Sequence, residues 1–162
     1  DQKAVIKDNT IQFFRDGFAD NSVVCLVAVD KQRIVCMGCI NFFSFPPNDW
    51  CPNGKTAYLG NMYTLPDSRR RGIASRVLSH LINEAKSRKC QRILLNTTDT
   101  GRPLYEKTGF KDSPTAMAMY PYGIRYGASA FNLVLRVFFI SIFFFTRIIM
   151  PLPTMSNRYE IG

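Results

Sequence analysis

Residues 56–89 read TAYLGNMYTLPDSRRRGIASRVLSHLINEAKSRK. The first ten, residues 56–65, are apolar, aromatic and β-branched, the composition of a strand. Gly60 and Asn61 are poor strand residues in its middle and predict a bulge. Pro66-Asp67-Ser68 breaks the strand and offers an N-cap. A helix then runs to about Lys89, with Ile73, Val77, Leu78, Leu81, Ile82 and Ala85 along one apolar stripe. Gly72 lies at the helix start. A helix N-terminus leaves backbone N–H groups unpaired and partially positive, a site for a pyrophosphate. Gly72 has no Cβ, so an anion can approach its backbone closely. Arg69, Arg70 and Arg71 add charge at the same point. Taken alone, the run also describes a solvated basic face.

Upstream, residues 3–18 read as an amphipathic helix with Ile6, Phe13, Phe14 and Phe18 at helical spacing. Residues 22–30 and 33–43 are two apolar strands around a Lys31-Gln32 turn, a hairpin. Residues 44–55 hold three prolines, an Asn-Asp and an Asn-Gly, and form a loop. Downstream come a strand at 91–96, a short helix at 102–107 and a last strand at 116–120. The order helix, hairpin, strand, long helix, strand, short helix, strand predicts an α/β fold with a mixed, mostly antiparallel sheet.

Pro66-x-x-Arg69-x-x-Gly72-Ile73-Ala74 resembles the acyl-CoA-binding motif of the GNAT superfamily of N-acetyltransferases, [RQ]-x-x-G-x-[GA]. Asn61-Met62-Tyr63-Thr64-Leu65-Pro66 looks like that family's splayed central strand, and Leu104-Tyr105-Glu106-Lys107-Thr108-Gly109-Phe110 resembles its L-Y-x-x-x-G-F ending. The likeness covers roughly residues 20–120. It implies transfer of an acetyl group from acetyl-CoA to a primary amine by direct attack, with no metal. It also implies that backbone amides of Arg69, Arg70, Arg71, Gly72, Ile73, Ala74 and Ser75 hold the CoA pyrophosphate. Main-chain groups of Met62, Tyr63 and Thr64 would bind the pantetheine and polarise the thioester. Tyr105 matches the family tyrosine that protonates the departing thiolate; the alternative is an aromatic packed in the helix face. Asn96 is either a pantetheine contact or a strand-end cap, and Arg102 either reaches CoA phosphates or sits in solvent.

Three departures stand out. The family's first strand and helix should precede residues 3–18 and are absent, so residues 1–120 read as an N-terminally incomplete domain. The tail from Pro121 has no family counterpart. No carboxylate stands on the strand 56–65, where some members place a general base; Asp30, Asp49 and Asp99 are the other candidates, and none is well placed. A second class therefore stays open, an acyl-CoA-binding module without catalysis. The acceptor is a small-molecule or peptide amine, and the loop 44–55, with Asp49 and Trp50, borders its site.

The chain has 162 residues, with 21 basic and 12 acidic side chains for a net charge of +9. Such a surface favours anionic partners. The charge peaks at one turn instead of interleaving with aromatics, which argues for a local phosphate site and against nucleic acid. Five scattered cysteines fit a reducing, cytoplasmic setting better than a disulfide framework. Cys36 and Cys39 form a C-x-x-C inside a strand, where residues three apart face opposite ways, so neither zinc nor a redox pair is expected. Residues 131–150 are almost wholly apolar, but Arg136 and Arg147 interrupt the run. An arginine near a membrane helix centre costs about 2.5–3.5 kcal/mol. Membrane contact through residues 121–162 is the less favoured reading, beside a buried element or a partner surface, and a homodimer is left open.

Overall fold

A computed structural model describes residues 2–113, Met119 and residues 149–151. The fold is α/β, built on a mixed sheet. Helix α1 spans Gln2–Ala19, and strands β1 (Val23–Asp30) and β2 (Arg33–Ser44) form the expected hairpin. Lys31 and Gln32 turn the chain with φ of 45° and 68°. Strand β3 (Lys55–Thr64), helix α2 (Ile73–Ser87), strand β4 (Arg92–Leu95) and helix α3 (Arg102–Lys107) follow. Strand β5 is a short segment at Ile149–Pro151. The sheet order is β4-β3-β2-β1-β5. The β1–β2 and β2–β3 pairs are antiparallel, whereas β3–β4 and β1–β5 are parallel. The β3–α2–β4 crossover between parallel strands is the reason a long helix stands between them.

Side-chain alternation divides the sheet into two faces. Leu26, Ala28, Cys36, Ile40, Ala57 and Leu59 face α2 and pack on Ile73, Val77, Leu78, Leu81 and Ala85. The α2 stripe read from the sequence is this seam. Burying one of its leucines contributes about 1.5–3 kcal/mol. On the other face Val23, Cys25, Val27, Met37 and Cys39 pack on Phe14 and Phe18 of α1. Phe13, expected on the same stripe, is 48% exposed and only edges onto the Phe14 ring. Adjacent helical residues point about 100° apart, so Phe14 and Phe13 cannot both enter one seam.

Two expectations need correction. Pro66-Asp67-Ser68 does not cap the long helix: these residues form a 3-10 turn, Ser68 is buried with its hydroxyl on Asp67, and α2 begins at Ile73 behind Gly72, the glycine read at the helix start. The cysteines are not all free thiols. The antiparallel register sets Cys25 directly opposite Cys39, with Cα atoms 4.1 Å apart, and the two are joined as a disulfide. Cys36, Cys51 and Cys90 are free. Cys36 does face α2 while Cys39 faces α1, as the strand alternation requires.

The strand expected at 116–120 lies outside the described residues except for Met119, and so does the tail 121–162 apart from β5. No helix among the described residues is long and apolar enough to cross a membrane.

Candidate active site

The site begins where β3 and β4 stop pairing. Their parallel ladder runs from Thr56 opposite Arg92 to Leu59 opposite Leu95 and ends there, while β3 continues to Thr64. Beyond Leu59 the edge of β3 that faced β4 has no strand partner among the described residues. On its other edge, Met37 opposes Tyr63 and Cys39 opposes Gly60, so β3 carries an extra residue in between. This is the bulge expected from Gly60-Asn61, and Asn61 takes the left-handed φ of 54° that it requires. From Gly60 to Thr64 β3 runs on without β4 beside it, so on that edge, the V between the two strands, its main-chain groups have no strand partner among the described residues. Unpaired main-chain groups cost stability unless a ligand or water satisfies them.

The gap leads to the start of α2. Gly72 is the N-cap with φ 74° and ψ 2°, and no side chain caps the helix. The first helical bond runs from the Arg76 N–H to the Gly72 carbonyl at 3.2 Å. The amides of Ile73, Ala74 and Ser75 therefore have no intrahelical acceptor. No acidic residue stands in the first turn to compete with an incoming anion. A Cβ built on Gly72 meets nothing within 4 Å, so the glycine opens onto free space.

The three arginines divide the work. Arg69 donates from Nε to the Thr64 carbonyl at 3.0 Å and lies over the Tyr63 ring at 5.8 Å, tying the loop to the end of β3. Arg71 meets Asp30 at 3.4 Å and so ties the helix start to β1. Arg70 sits at φ 58°, exposed, with no ion pair among the described residues.

Tyr105 comes from α3, which follows β4. It is 9% exposed, packs edge-on to Phe110 at 5.8 Å, and its hydroxyl has no hydrogen-bond partner among the described residues. Burial, with a smaller contribution from the nearby Tyr58, pushes its phenol above the ordinary value. Asn96 is exposed immediately past the last β3–β4 pair. Arg102 is paired at the surface with Asp112 at 2.7 Å and Glu106 at 3.5 Å, and these carboxylates, Asp112 foremost, raise the pKa of its guanidinium. Asp49, Asp99 and His80 are exposed.

Sequence reading missed the face of β3 and β4 turned away from α2. With Ala57 and Leu59 in the α2 core, Tyr58 must point to the opposite side, where it is 36% exposed. The period-2 alternation of residues 57–59 was the available signal.

The chain is similar in sequence and fold to proteins of known class. The sequence profile described as "Acetyltransferase (GNAT) family" matches residues 3–110. This protein belongs to the GNAT acetyltransferase family. Along 129 residues it is 30% identical to the probable glucosamine 6-phosphate N-acetyltransferase 2 of Oryza sativa subsp. japonica, spanning 74% of this chain and 75% of that one. A predicted acetyltransferase of Clostridium acetobutylicum, solved with acetyl-CoA, is 37% identical with a TM-score of 0.65 over 67% of this chain and 71% of that one. Glucosamine-6-phosphate N-acetyltransferase from Arabidopsis thaliana shares the fold at 17% identity, with a TM-score of 0.56 over 68% of this chain and 75% of that one. The GNAT protein described here is thus an N-acetyltransferase that moves an acetyl group from acetyl-CoA to an amine.

Proposed function

We propose that the V between β3 and β4 is where acetyl-CoA meets its acceptor, with the uncapped start of α2 holding the pyrophosphate. The observation that carries this reading is the coincidence of three features at one point. These are a ladder that stops at Leu59 and Leu95, a left-handed bulge at Asn61, and a helix start with no side-chain cap. The amides of Gly72, Ile73, Ala74 and Ser75 would donate to the phosphates, with Arg70 adding charge. Main-chain groups of Met62, Tyr63 and Thr64 would pair the pantetheine. Arg69 holds the end of β3 in place for that pairing through the Thr64 carbonyl. Asn96 borders the opposite arm of the V. Arg102 reaches a phosphate only by exchanging Asp112 and Glu106 for it.

In the transfer, the neutral amine attacks the thioester carbonyl carbon, the C–N bond forms, and the C–S bond breaks. The thiolate takes the Tyr105 proton, and solvent restores it to the phenol. A phenol held above its ordinary value of about 10 is fully protonated at neutral pH, as a general acid must be. The amine gives its proton to water over the open face, since no carboxylate stands on β3. We assign the acceptor to small amines, of which glucosamine 6-phosphate is the first to try. The setting is the cytoplasm, where Cys36, Cys51 and Cys90 stay reduced and the Cys25–Cys39 pair is shielded within the sheet.

Titration with acetyl-CoA, followed by CoA release with a panel of amines, tests the reading. Binding together with amine-dependent release supports an enzyme. Binding without release by any amine favours the silent acyl-CoA-binding module instead.

A further inference from the structure

The face of the sheet turned away from α2 consists of lateral rows that the register defines. Phe43, Thr56 and Arg92 form one row, and Asn41, Tyr58 and Leu94 form the next toward the V. Gly60 and Cys39 come after them, beside the point where the strands part. Helix α1 covers the β1–β2 half of this face through Phe14 and Phe18. Over the β3–β4 half, Tyr58 is exposed, and Asn41, Arg92 and Leu94 are half-buried.

Arg92 is the anomaly in this surface. Among the described residues three arginines are half-buried: Arg88, Arg92 and Arg102. Arg88 holds Glu84 at 2.8 Å, and Arg102 holds Asp112 and Glu106. Arg92 has no carboxylate partner among the described residues. Among the described residues its buried Nε has no hydrogen-bond partner, and its one hydrogen bond, from Nη2 to the Thr56 hydroxyl, is long at 3.5 Å. The guanidinium lies over the Phe45 ring at 4.7 Å, so one face is dry. An unpaired donor on a partly desolvated charge is costly, and a native orphan of this kind calls for a partner. Asn41 and Tyr58, in the row between Arg92 and the V, also have side-chain polar groups without hydrogen-bond partners among the described residues.

We propose that this row of unpaired groups is the floor of the acceptor site and that Arg92 binds an anionic group, phosphate or carboxylate, carried by the amine. The proposal rests on the acetyl-transfer site described above. Four residue steps separate Arg92 from Asn96 at the V, about 13 Å along the backbone, part of which the long arginine side chain spans itself. An acceptor with its amine at the V and its anion several bonds away fits that span. Asn41 and Tyr58 would meet polar groups between the two ends. A guanidinium is suited to either oxyanion because its fork can donate two parallel bonds.

Matched acceptors test this: glucosamine 6-phosphate against glucosamine, and 5-aminopentanoate against pentylamine. The native protein should favour the anionic member of at least one pair by about 10-fold or more in kcat/KM, mostly through KM. Arg92→Met should erase that preference, bringing kcat/KM for the anionic member down to that of its neutral partner. Arg92→Lys, which keeps charge and length, should retain part of it and guards against a misfolding artefact. The pair that responds identifies the anion as phosphate or carboxylate. Equilibrium binding of glucosamine 6-phosphate and 5-aminopentanoate, measured without acetyl-CoA, separates this inference from the acetyl-transfer reading. Weaker binding of either in Arg92→Met supports the anion site whatever the turnover. Equal affinity of native and Met proteins for both, or an anionic preference that survives the substitution, overturns it.

Discussion

At the residue scale, Tyr105 and Gly72 carry the sharpest consequences. Replacing Tyr105 by phenylalanine keeps the ring against Phe110 and deletes the proton. Steady-state kinetics should show kcat down by about 10²–10⁴ with acetyl-CoA affinity nearly unchanged. Normal turnover would leave Tyr105 as a packing residue. Its raised pKa also sets a sign: the acid form is the active one, so the phenol imposes no loss until the pH passes its ordinary value of about 10. A kcat profile that falls between pH 8 and 9 through ionisation of Tyr105 would contradict that. Gly72 makes a different demand. Its φ of 74° strains any L-residue by about 1–2 kcal/mol, yet its Cβ direction is empty. Gly72→Glu should therefore fold and still lose acetyl-CoA binding, because a carboxylate would stand where the pyrophosphate is to lie. Unchanged affinity by calorimetry on the folded variant would remove this turn from the cofactor site.

At the scale of elements, the α2 seam and the bulge are coupled through Gly38. A Cβ there would run into Met62 Sδ, come within 2.9 Å of Leu81 Cδ1 and within 3.3 Å of Val77 Cγ1. Met62 lies in the splayed part of β3, so a side chain at position 38 would displace the segment proposed to bind pantetheine. Gly38→Ala should cost about 1–3 kcal/mol by overpacking and also weaken acetyl-CoA binding several-fold. Leu81→Ala is the comparison: it should cost about 2–5 kcal/mol in chemical denaturation but leave the affinity of the folded protein intact. Equal affinities for both variants would uncouple packing from the site. The elements themselves were largely readable. The turn at Lys31-Gln32, the bulge at Asn61 and the α2 stripe follow from local residue types. Gly72 is the helix start that its lack of a side chain suggests, whereas the N-cap offered by Pro66-Asp67-Ser68 is a 3-10 turn, because such a turn and a helix cap attract the same residues and only tertiary packing buries Ser68. The motif end of the site was legible because it is local in sequence. The Arg92–Tyr58–Asn41 surface was not, since those residues meet only through strand register. The Cys25–Cys39 contact was hidden for the same reason.

At the scale of the whole molecule, the remaining question is what residues 121–162 contribute. Every group proposed to hold acetyl-CoA lies on β3, on the turn from β3 into α2, at the start of α2, just past β4 or on α3, at one side of the sheet. Strand β5 pairs with β1 at Val27, Ala28 and Val29, on the far edge. Two strands, β1 and β2, stand between β5 and the V. A chain ending at Gly123 should therefore bind acetyl-CoA within about 3-fold of the full chain. It loses a three-residue ladder, which at about 0.2–1 kcal/mol per pair costs about 1–2 kcal/mol. For a domain of this size that lowers Tm by a few degrees, roughly 2–8 °C. Removing the phenylalanine-rich run in residues 131–150 also takes away apolar surface that promotes association when exposed. The bared β1 edge is short, and Val27 and Ala28 stay buried against the helices on either side, so sedimentation should show a monodisperse species. A shortened chain that aggregates, or that folds but no longer binds acetyl-CoA, would instead place residues 121–162 within the structural core of the enzyme.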